Sequence, residues 1–360
     1  MQRSPLHTVY AALGASFIEV AGWELPQHFG NPAAEYRAVR HGVGLCDLPS
    51  RGWVRIRGKD RQRFLHAMVS NDTASLRPGQ GCYTTFLTNR GKMVADFVVY
   101  AEAEAYLLEL ESQVVRPLMD AIEGFVISED VELHDESRQW GVLSLQGPRA
   151  GELLALALGH EVPALPPYGH DVCTLAGQPA CLLRRSHTGE LGYQLLAPPA
   201  TLPDLWHALW QHRAGCDAQP VGVEALEALR IEAGIPVYGR DMTEETIPVE
   251  ANLVDAISYT KGCYIGQEVI ARIDARGHVN RKLVGLLLSG SGLPASGAKI
   301  VSPEREVGWV TSVAHSPGYD RPVALGYVRR EVWAPGTHLA VQTHGTTMPA
   351  TVVELPFAKV

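Results

Sequence analysis

The sequence predicts an α+β chain of two or three domains whose C-terminal part is all β, and three observations carry that prediction. At about 150 residues per domain, 360 residues make two or three. Up to about residue 280, stretches of helical period alternate with stretches of strand period. From "RKLVGLLLSGSG" onward, short apolar runs such as "EVGWVTSVAHS", "ALGYVR" and "LAVQTHG" are punctuated by Gly, Pro and Ser with no helical period, the pattern of a small barrel or sandwich.

The N-terminal body is read in order. In "GNPAAEYRAVRHG", Asn31 is an N-cap, Pro32 takes the first helical position and Gly42 lies near the end, giving a helix of about three turns. "GWVRIRG" alternates as a strand, with Val54 and Ile56 on one face and Trp53, Arg55 and Arg57 on the other, and "KDRQRFLHAMVSND" follows at helical spacing. "YLLELE" and "WGVLSLQG" are strands, "AGELLALALG" and "LWHALWQH" helices. Val221 to Gly234 form a further helix, and Gln267 to Ile273 another that sets Val269, Ile270 and Ile273 on one face.

Composition excludes several classes of function. A hydrophobic fraction of 46% and a charged fraction of 19%, with 35 Gly and 24 Pro scattered along the chain, describe an ordinary globular protein. The formal net charge of -8 argues against direct nucleic-acid binding, which needs Lys and Arg to release counterions. No run reaches the roughly 18 apolar residues of a membrane span and no signal peptide is written at the start, so a cytoplasmic protein without a membrane partner is expected. The six cysteines (Cys46, Cys82, Cys173, Cys181, Cys216, Cys263) include no CxxC pair, so no metal site is expected and reduced thiols are.

Three features ask for chemistry. Arg230 falls within the apolar arc of Val223, Leu226, Leu229 and Ala233, where a guanidinium cannot shed its proton; a structural ion pair and a ligand clamp are equally open. Glu190, between Gly189 and Gly192 in "RRSHTGELGYQL", stands in a turn between strands, where a ligand can come close, although a lone Glu in a turn is ordinarily a solvated surface residue. Cys263, in "KGCYIGQEVIARIDARG", precedes a helix N-terminus with Lys261 nearby, a setting that favours a thiolate, although packing is the ordinary use of a free cysteine. The basic run from Arg51 to Arg63, with Asp60 its one acid, reads as a solvated face, or else as a docking surface for an anionic partner.

The segments "GASFIEVAGWELPQHFG", "EYRAVRHGVGLCDL", "HTGELGYQL", "LRIEAGIPVYGRDM", "IPVEANL" and "VTSVAHSP" resemble the aminomethyltransferase (T-protein) of the glycine cleavage system, over nearly the whole chain. "KGCYIGQE" is instead the signature of the YgfZ-like folate-binding members of that superfamily, which are associated with iron–sulfur cluster assembly or repair. The resemblance implies a three-domain cloverleaf around a central folate-binding hole. Residues 1–50 plus 140–245 would form a discontinuous folate-binding domain, 51–139 an inserted α+β domain, 246–282 a linker carrying KGCYIGQE, and 283–360 the C-terminal β-barrel.

The resemblance also implies tetrahydrofolate or a one-carbon derivative as cofactor, with Glu190 on the pteridine edge and Arg230, Tyr238, Tyr83 and Lys261 as further cofactor-binding residues. A carboxylate matches the paired donors of a 2-amino-4-oxo pteridine, and aromatic faces match its ring. Cys263 and Asp96 are the catalytic candidates. In "NRGKMVADFVVY" T-proteins carry two adjacent acids, of which the first assists transfer; here Ala95 replaces the first and only Asp96 remains. Lys92 also stands for a glycine, and "DLPSRG" for an Asp-Val-Ser-His-Met motif.

The reading these residues favour is a folate-binding accessory protein that supports iron–sulfur proteins or cluster assembly factors, acting indirectly on cluster-dependent enzymes such as tRNA-modifying ones. Beside it stand a working aminomethyltransferase and a folate-stabilised interaction module without chemistry.

Overall fold

The structure is a computed structural model that describes residues 1–290, 292–302, 305–343 and 346–359. The chain divides into two compact units: one of Met1–Thr88, Val94–Ala225 and Asp255–Ile265, the other of Asn89–Met93, Leu226–Val254 and Gly266–Val360. The segment expected to be a linker, 246–282, is therefore shared out. Asp255–Ile265 belongs to the first unit because the Ser70 hydroxyl donates to the Ala256 carbonyl, Ser258 N–H to the Ser70 carbonyl and Lys261 Nζ to the carbonyls of His66, Val69 and Asn71.

Two large sheets build the first unit. The six-stranded sheet runs in the order His170–Leu175, Gln178–Leu183, Gly192–Ala197, Gly141–Gln146, Val43–Asp47 and Ala218–Pro220. The five-stranded sheet takes Gly81–Leu87, Met93–Ala101, Tyr106–Glu111, Arg51–Arg57 and Glu132–Asp135, all from between the first and later strands of its neighbour. Between the sheets pack Trp53, Val98, Tyr100 and Leu107 from one and Val142, Leu183 and Leu196 from the other. On its outer side the six-stranded sheet is covered by the helices Ala150–Leu158 and Leu202–Trp210, through Leu153, Leu154, Leu205, Trp206 and Leu209.

The helix Pro32–His41 starts as its sequence dictates, with Asn31 Oδ1 accepting the Ala34 N–H at 3.0 Å. The basic run is not a solvated face throughout. The strand Arg51–Arg57 is buried over most of its length, and Arg55 donates from Nε to both carboxylate oxygens of Glu136 at 2.8 and 2.9 Å. Strand alternation turned these arginines inward along with Trp53, and each found a carboxylate.

In the second unit six strands close a barrel in the order Arg281–Leu288, Arg321–Arg329, Arg305–Ser316, Lys299–Ser302, His338–Thr343 and Thr346–Val353. Their inward positions, among them Leu286, Leu288, Ile300, Val310, Val328, Val341 and Val352, fill it. Closure leaves no free edge strand. The same unit holds the C-terminal part of the helix Val223–Glu232 and the helix Gln267–Arg276, whose N-cap Gly266 takes φ +83°, a left-handed conformation that glycine adopts without strain.

Arg55→Ala leaves the Glu136 carboxylate buried and uncompensated, and is expected to cost about 3 to 5 kcal/mol in denaturant unfolding. Arg57→Ala, at the exposed end of the same strand, is expected to cost less than about 0.5 kcal/mol.

Candidate functional site

The first unit contains a polar cluster laid into the layer between its two sheets. Its centre is Glu109, on the strand Tyr106–Glu111, with 0% exposure. Tyr100 Oη donates to it at 2.8 Å, Arg51 Nε at 3.1 Å and Gln194 Nε2 at 3.4 Å, while Arg185 Nε stands 3.7 Å away. Burial pushes the Glu109 carboxyl up, but Arg51 and Arg185 hold it down to about 2, so it is ionised at any physiological pH. Burial, and then the charge of Arg185, pushes His187 down to about 3; it is the neutral imidazole whose Nε2 lies 2.6 Å from Gln194 Nε2.

From this centre the cluster extends to an aromatic wall. Tyr83 and Tyr168 lie with ring centroids 6.3 Å apart and planes at 25°. The Arg185 guanidinium carbon is 5.8 Å from the first ring and 5.4 Å from the second. Tyr83 Oη donates to Asp96 Oδ2 at 2.7 Å, and Asp96 Oδ1 is buried with no hydrogen-bond partner among the described residues. Burial raises the Asp96 pKa, opposed by the Tyr83 hydrogen bond, so this carboxyl holds its proton more tightly than an ordinary aspartate.

Glu190 sits in the turn before the strand Gly192–Ala197, and Arg40 Nη1 donates to its Oε1 at 2.6 Å; the two side chains are 11% and 10% exposed, so this is no solvated surface pair. Gln146 braces the turn from below. Its Oε1 accepts the His187 N–H at 2.9 Å and its Nε2 donates to the Arg185 carbonyl at 3.1 Å. A Cβ on Gly192 would fall 2.6 Å from the Gln146 amide, so a glycine there lets the brace approach.

Two family models match the chain: one described as "GCVT N-terminal domain" over residues 6–261, the other as "Glycine cleavage T-protein C-terminal barrel domain" over residues 281–359. The chain belongs to the glycine cleavage T-protein (aminomethyltransferase) superfamily. It is 34% identical over 360 residues to an aminomethyltransferase of Geobacillus kaustophilus, covering 99% of this chain and 98% of that one. An aminomethyltransferase of Saccharopolyspora erythraea is likewise 34% identical, with the same coverage. Among solved structures, glycine cleavage system aminomethyltransferase T from Bartonella henselae superposes with a TM-score of 0.89 at 25% identity, over 99% of this chain and 98% of that chain.

These relatives overturn the iron–sulfur reading. Full-length likeness runs to proteins named aminomethyltransferase, and nothing found in the fold or the relatives supports cluster assembly or tRNA modification. The geometry sets the two positions of the acid pair on different faces of one strand. Successive residues of a strand face opposite ways, so Ala95 and Asp96 of Met93–Ala101 cannot serve one site. Asp96 is the member of the pair that meets Tyr83; Ala95 points to the other face with Met93, Phe97 and Val99, all buried and apolar. An acid at position 95 would face away from the Tyr83–Asp96 cluster.

The other expected site residues divide between the two units. Arg230 lies in the second unit with all five N–H groups engaged: Nε and Nη2 on Glu227, Nη1 on the Ile235 carbonyl at 2.7 Å and on Asp241 at 2.8 Å, and Nη2 also on Ser312 at 2.7 Å. The ion pair is the reading the structure selects, and no donor remains for a folate carboxylate. Tyr238, in the same unit, donates to the Met93 carbonyl at 3.3 Å. Lys261 is in the first unit, and its three ammonium protons are spent on the three carbonyls that tie down its loop; burial lowers its pKa to about 8. Cys263 is exposed, and no group of three His, Cys, Asp or Glu able to hold a metal occurs among the described residues.

Sequence reasoning missed Arg185, Tyr168, Glu109 and Gln146. One signal was available for Arg185: "RRSHTGELG" follows the strand Gln178–Leu183, and continued alternation would set the two adjacent arginines on opposite sides. Tyr168 takes φ +61°, a left-handed conformation costly for an aromatic residue and concentrated at functional sites, but that is visible only in three dimensions.

Arg230→Ala is expected to cost about 3 to 5 kcal/mol of stability by stranding Asp241, and to leave folate affinity per folded molecule unchanged in calorimetric titration. Ala95→Asp is expected to lower the melting temperature by burying a carboxyl among apolar side chains, with no gain in transfer rate.

Proposed function

We propose that this chain is an aminomethyltransferase that passes a one-carbon unit from an aminomethyl carrier to tetrahydrofolate. The observation that carries the reading is Asp96: a buried carboxyl beside an aromatic wall, one oxygen held by Tyr83 and the other unpartnered. A buried carboxylate oxygen without a donor is costly unless a ligand supplies one. The stacked Tyr83 and Tyr168 suit a planar pteridine or aminobenzoyl ring, and Glu190 suits adjacent N–H donors once its bond to Arg40 is exchanged for theirs.

In this reading Tyr83, Tyr168 and Glu190 hold the folate, which supplies the nitrogen that accepts the one-carbon unit. Asp96 moves a proton at Oδ1, while the carrier's amino nitrogen leaves as ammonia and its sulfur is released as the thiol. Its raised pKa brings it nearer the working pH than an ordinary aspartate, as general acid–base chemistry requires. Tyr83 fixes the rotamer by holding Oδ2, and Glu109 keeps Arg51 and Arg185 in place behind it. The motif KGCYIGQE, with Cys263 exposed, supports placing the chain in the YgfZ-like branch of the superfamily by sequence, with aminomethyl transfer as its activity.

Asp96→Asn tests this. Transfer measured with tetrahydrofolate and a lipoyl-bound aminomethyl carrier is expected to fall by about 10²- to 10⁴-fold. The wild-type pH–rate profile is expected to show a limb above the ordinary aspartate pKa of about 3.9 that the variant lacks. The stability effect has the opposite sign. A raised folded pKa means that Asp96's contribution is full below its unfolded pKa and lost as pH rises through the folded one, so at neutral pH Asp96→Asn is expected to hold or raise the melting temperature. Wild-type turnover no faster than the Asn variant would refute the assignment.

A further inference from the structure

We propose that Arg185 is a carboxylate-binding residue of this polar cluster, and that a ligand of the transfer reaction brings a carboxylate to it; the inference rests on the transferase reading and names a group its ligand must carry. Arg185 Nε is buried with no hydrogen-bond partner among the described residues. The carboxylate paired with it, on Glu109, lies at 3.7 Å, beyond hydrogen-bond reach. The guanidinium is otherwise flanked by the rings of Tyr83 and Tyr168 at 5.8 and 5.4 Å, weakly polar partners for a desolvated cation.

A structural role for Arg185 is poorly served by this arrangement. Glu109 is already satisfied by Arg51, Tyr100 and Gln194, the first two at 3.1 and 2.8 Å, so its hydrogen bonding does not depend on Arg185. Buried arginines that act as struts in this chain look different: Arg230 has five hydrogen bonds and Arg55 a two-oxygen grip on Glu136. Arg185 has the charge and the burial without those bonds. Its place also matters, since the rings that flank it include Tyr83, whose hydroxyl holds Asp96.

A guanidinium presents a planar fork that matches a carboxylate in two parallel hydrogen bonds. Two ligands of this transfer can bring one: the folate, through its glutamyl tail, and an aminomethyl donor whose molecule also carries an acid group. The shared chemistry is the carboxylate, and the source is separable by omission.

The experiment compares two pairs of probes by calorimetric titration of the full chain: tetrahydrofolate against tetrahydropteroate, which lacks the glutamyl carboxylates, and N-methylglycine against dimethylamine, as non-reacting stand-ins for such a donor with and without its acid group. In one pair the carboxylate-bearing member is expected to bind at least about tenfold more tightly, the scale of a charge-assisted hydrogen bond. Arg185→Gln is expected to abolish that difference. Arg185→Lys, which keeps the charge beside Glu109 and so protects the fold, is expected to shrink it. The pair that shows the difference identifies the source. Equal binding within both pairs by the wild-type chain, or a difference that survives in Arg185→Gln, overturns the proposal. Failure of both folates to bind would instead count against the transferase reading, with the amine pair still reporting on Arg185.

Discussion

Glu109 is the constraint on which the first unit's interior depends. A carboxylate with no exposure lies between two sheets, and its charge is tolerable because Arg51 donates to it, Arg185 stands close and Tyr100 and Gln194 complete its shell. Each of these partners comes from a different strand or turn. The carboxylate therefore fixes the lateral positions of both sheets as well as their separation, something that Trp53, Val98 and Leu196 packing alone would specify less sharply. Arg185 stands where it does because Glu109 draws it inward, and the aromatic wall stands where Arg185 can lie against both rings.

The same layer decides the chemistry of Asp96. In a sheet with both faces buried, alternation sends one residue of each adjacent pair into the layer between sheets and the other to the opposite side. Position 96 faces the polar layer and position 95 the apolar one, so the two acids of the family motif are not interchangeable in space. A comparison by motif treats Ala95 as the loss of a catalytic group. A comparison by face treats it as a change of packing, and that agrees with full-length likeness to proteins named aminomethyltransferase.

Burial separates the charged residues of this chain into two kinds. Arg230 and Lys261 have their donors matched to acceptors within their own unit, Arg55 is paired with Glu136 and Glu102, and all three hold structure. Asp96 Oδ1 and Arg185 Nε are buried without a match. Both of the latter lie within the Tyr83 neighbourhood, where the proposed ligand would complete them.

The sequence by itself determined the class and most of the elements. The Asn31–Pro32 helix start, the period-2 runs of the C-terminal barrel and the strand Gly141–Gln146 follow from local rules of capping and alternation, and those rules act over a few residues. It also pointed to Glu190, Tyr83 and Asp96, which lie in one unit, two of them bonded to each other. Only the tertiary structure decided which side of a strand each polar residue faces relative to a partner sheet. It turned Arg51 and Arg55 from a solvated face into buried ion pairs, gave Arg230 to Asp241 and Lys261 to its own loop, and brought Glu109 and Arg185, 76 positions apart in sequence, to 3.7 Å. The reason is physical: whether a charge is a strut or a binding group depends on how many of its hydrogen bonds the fold itself fills, and that count is set by long-range neighbours that no local pattern encodes.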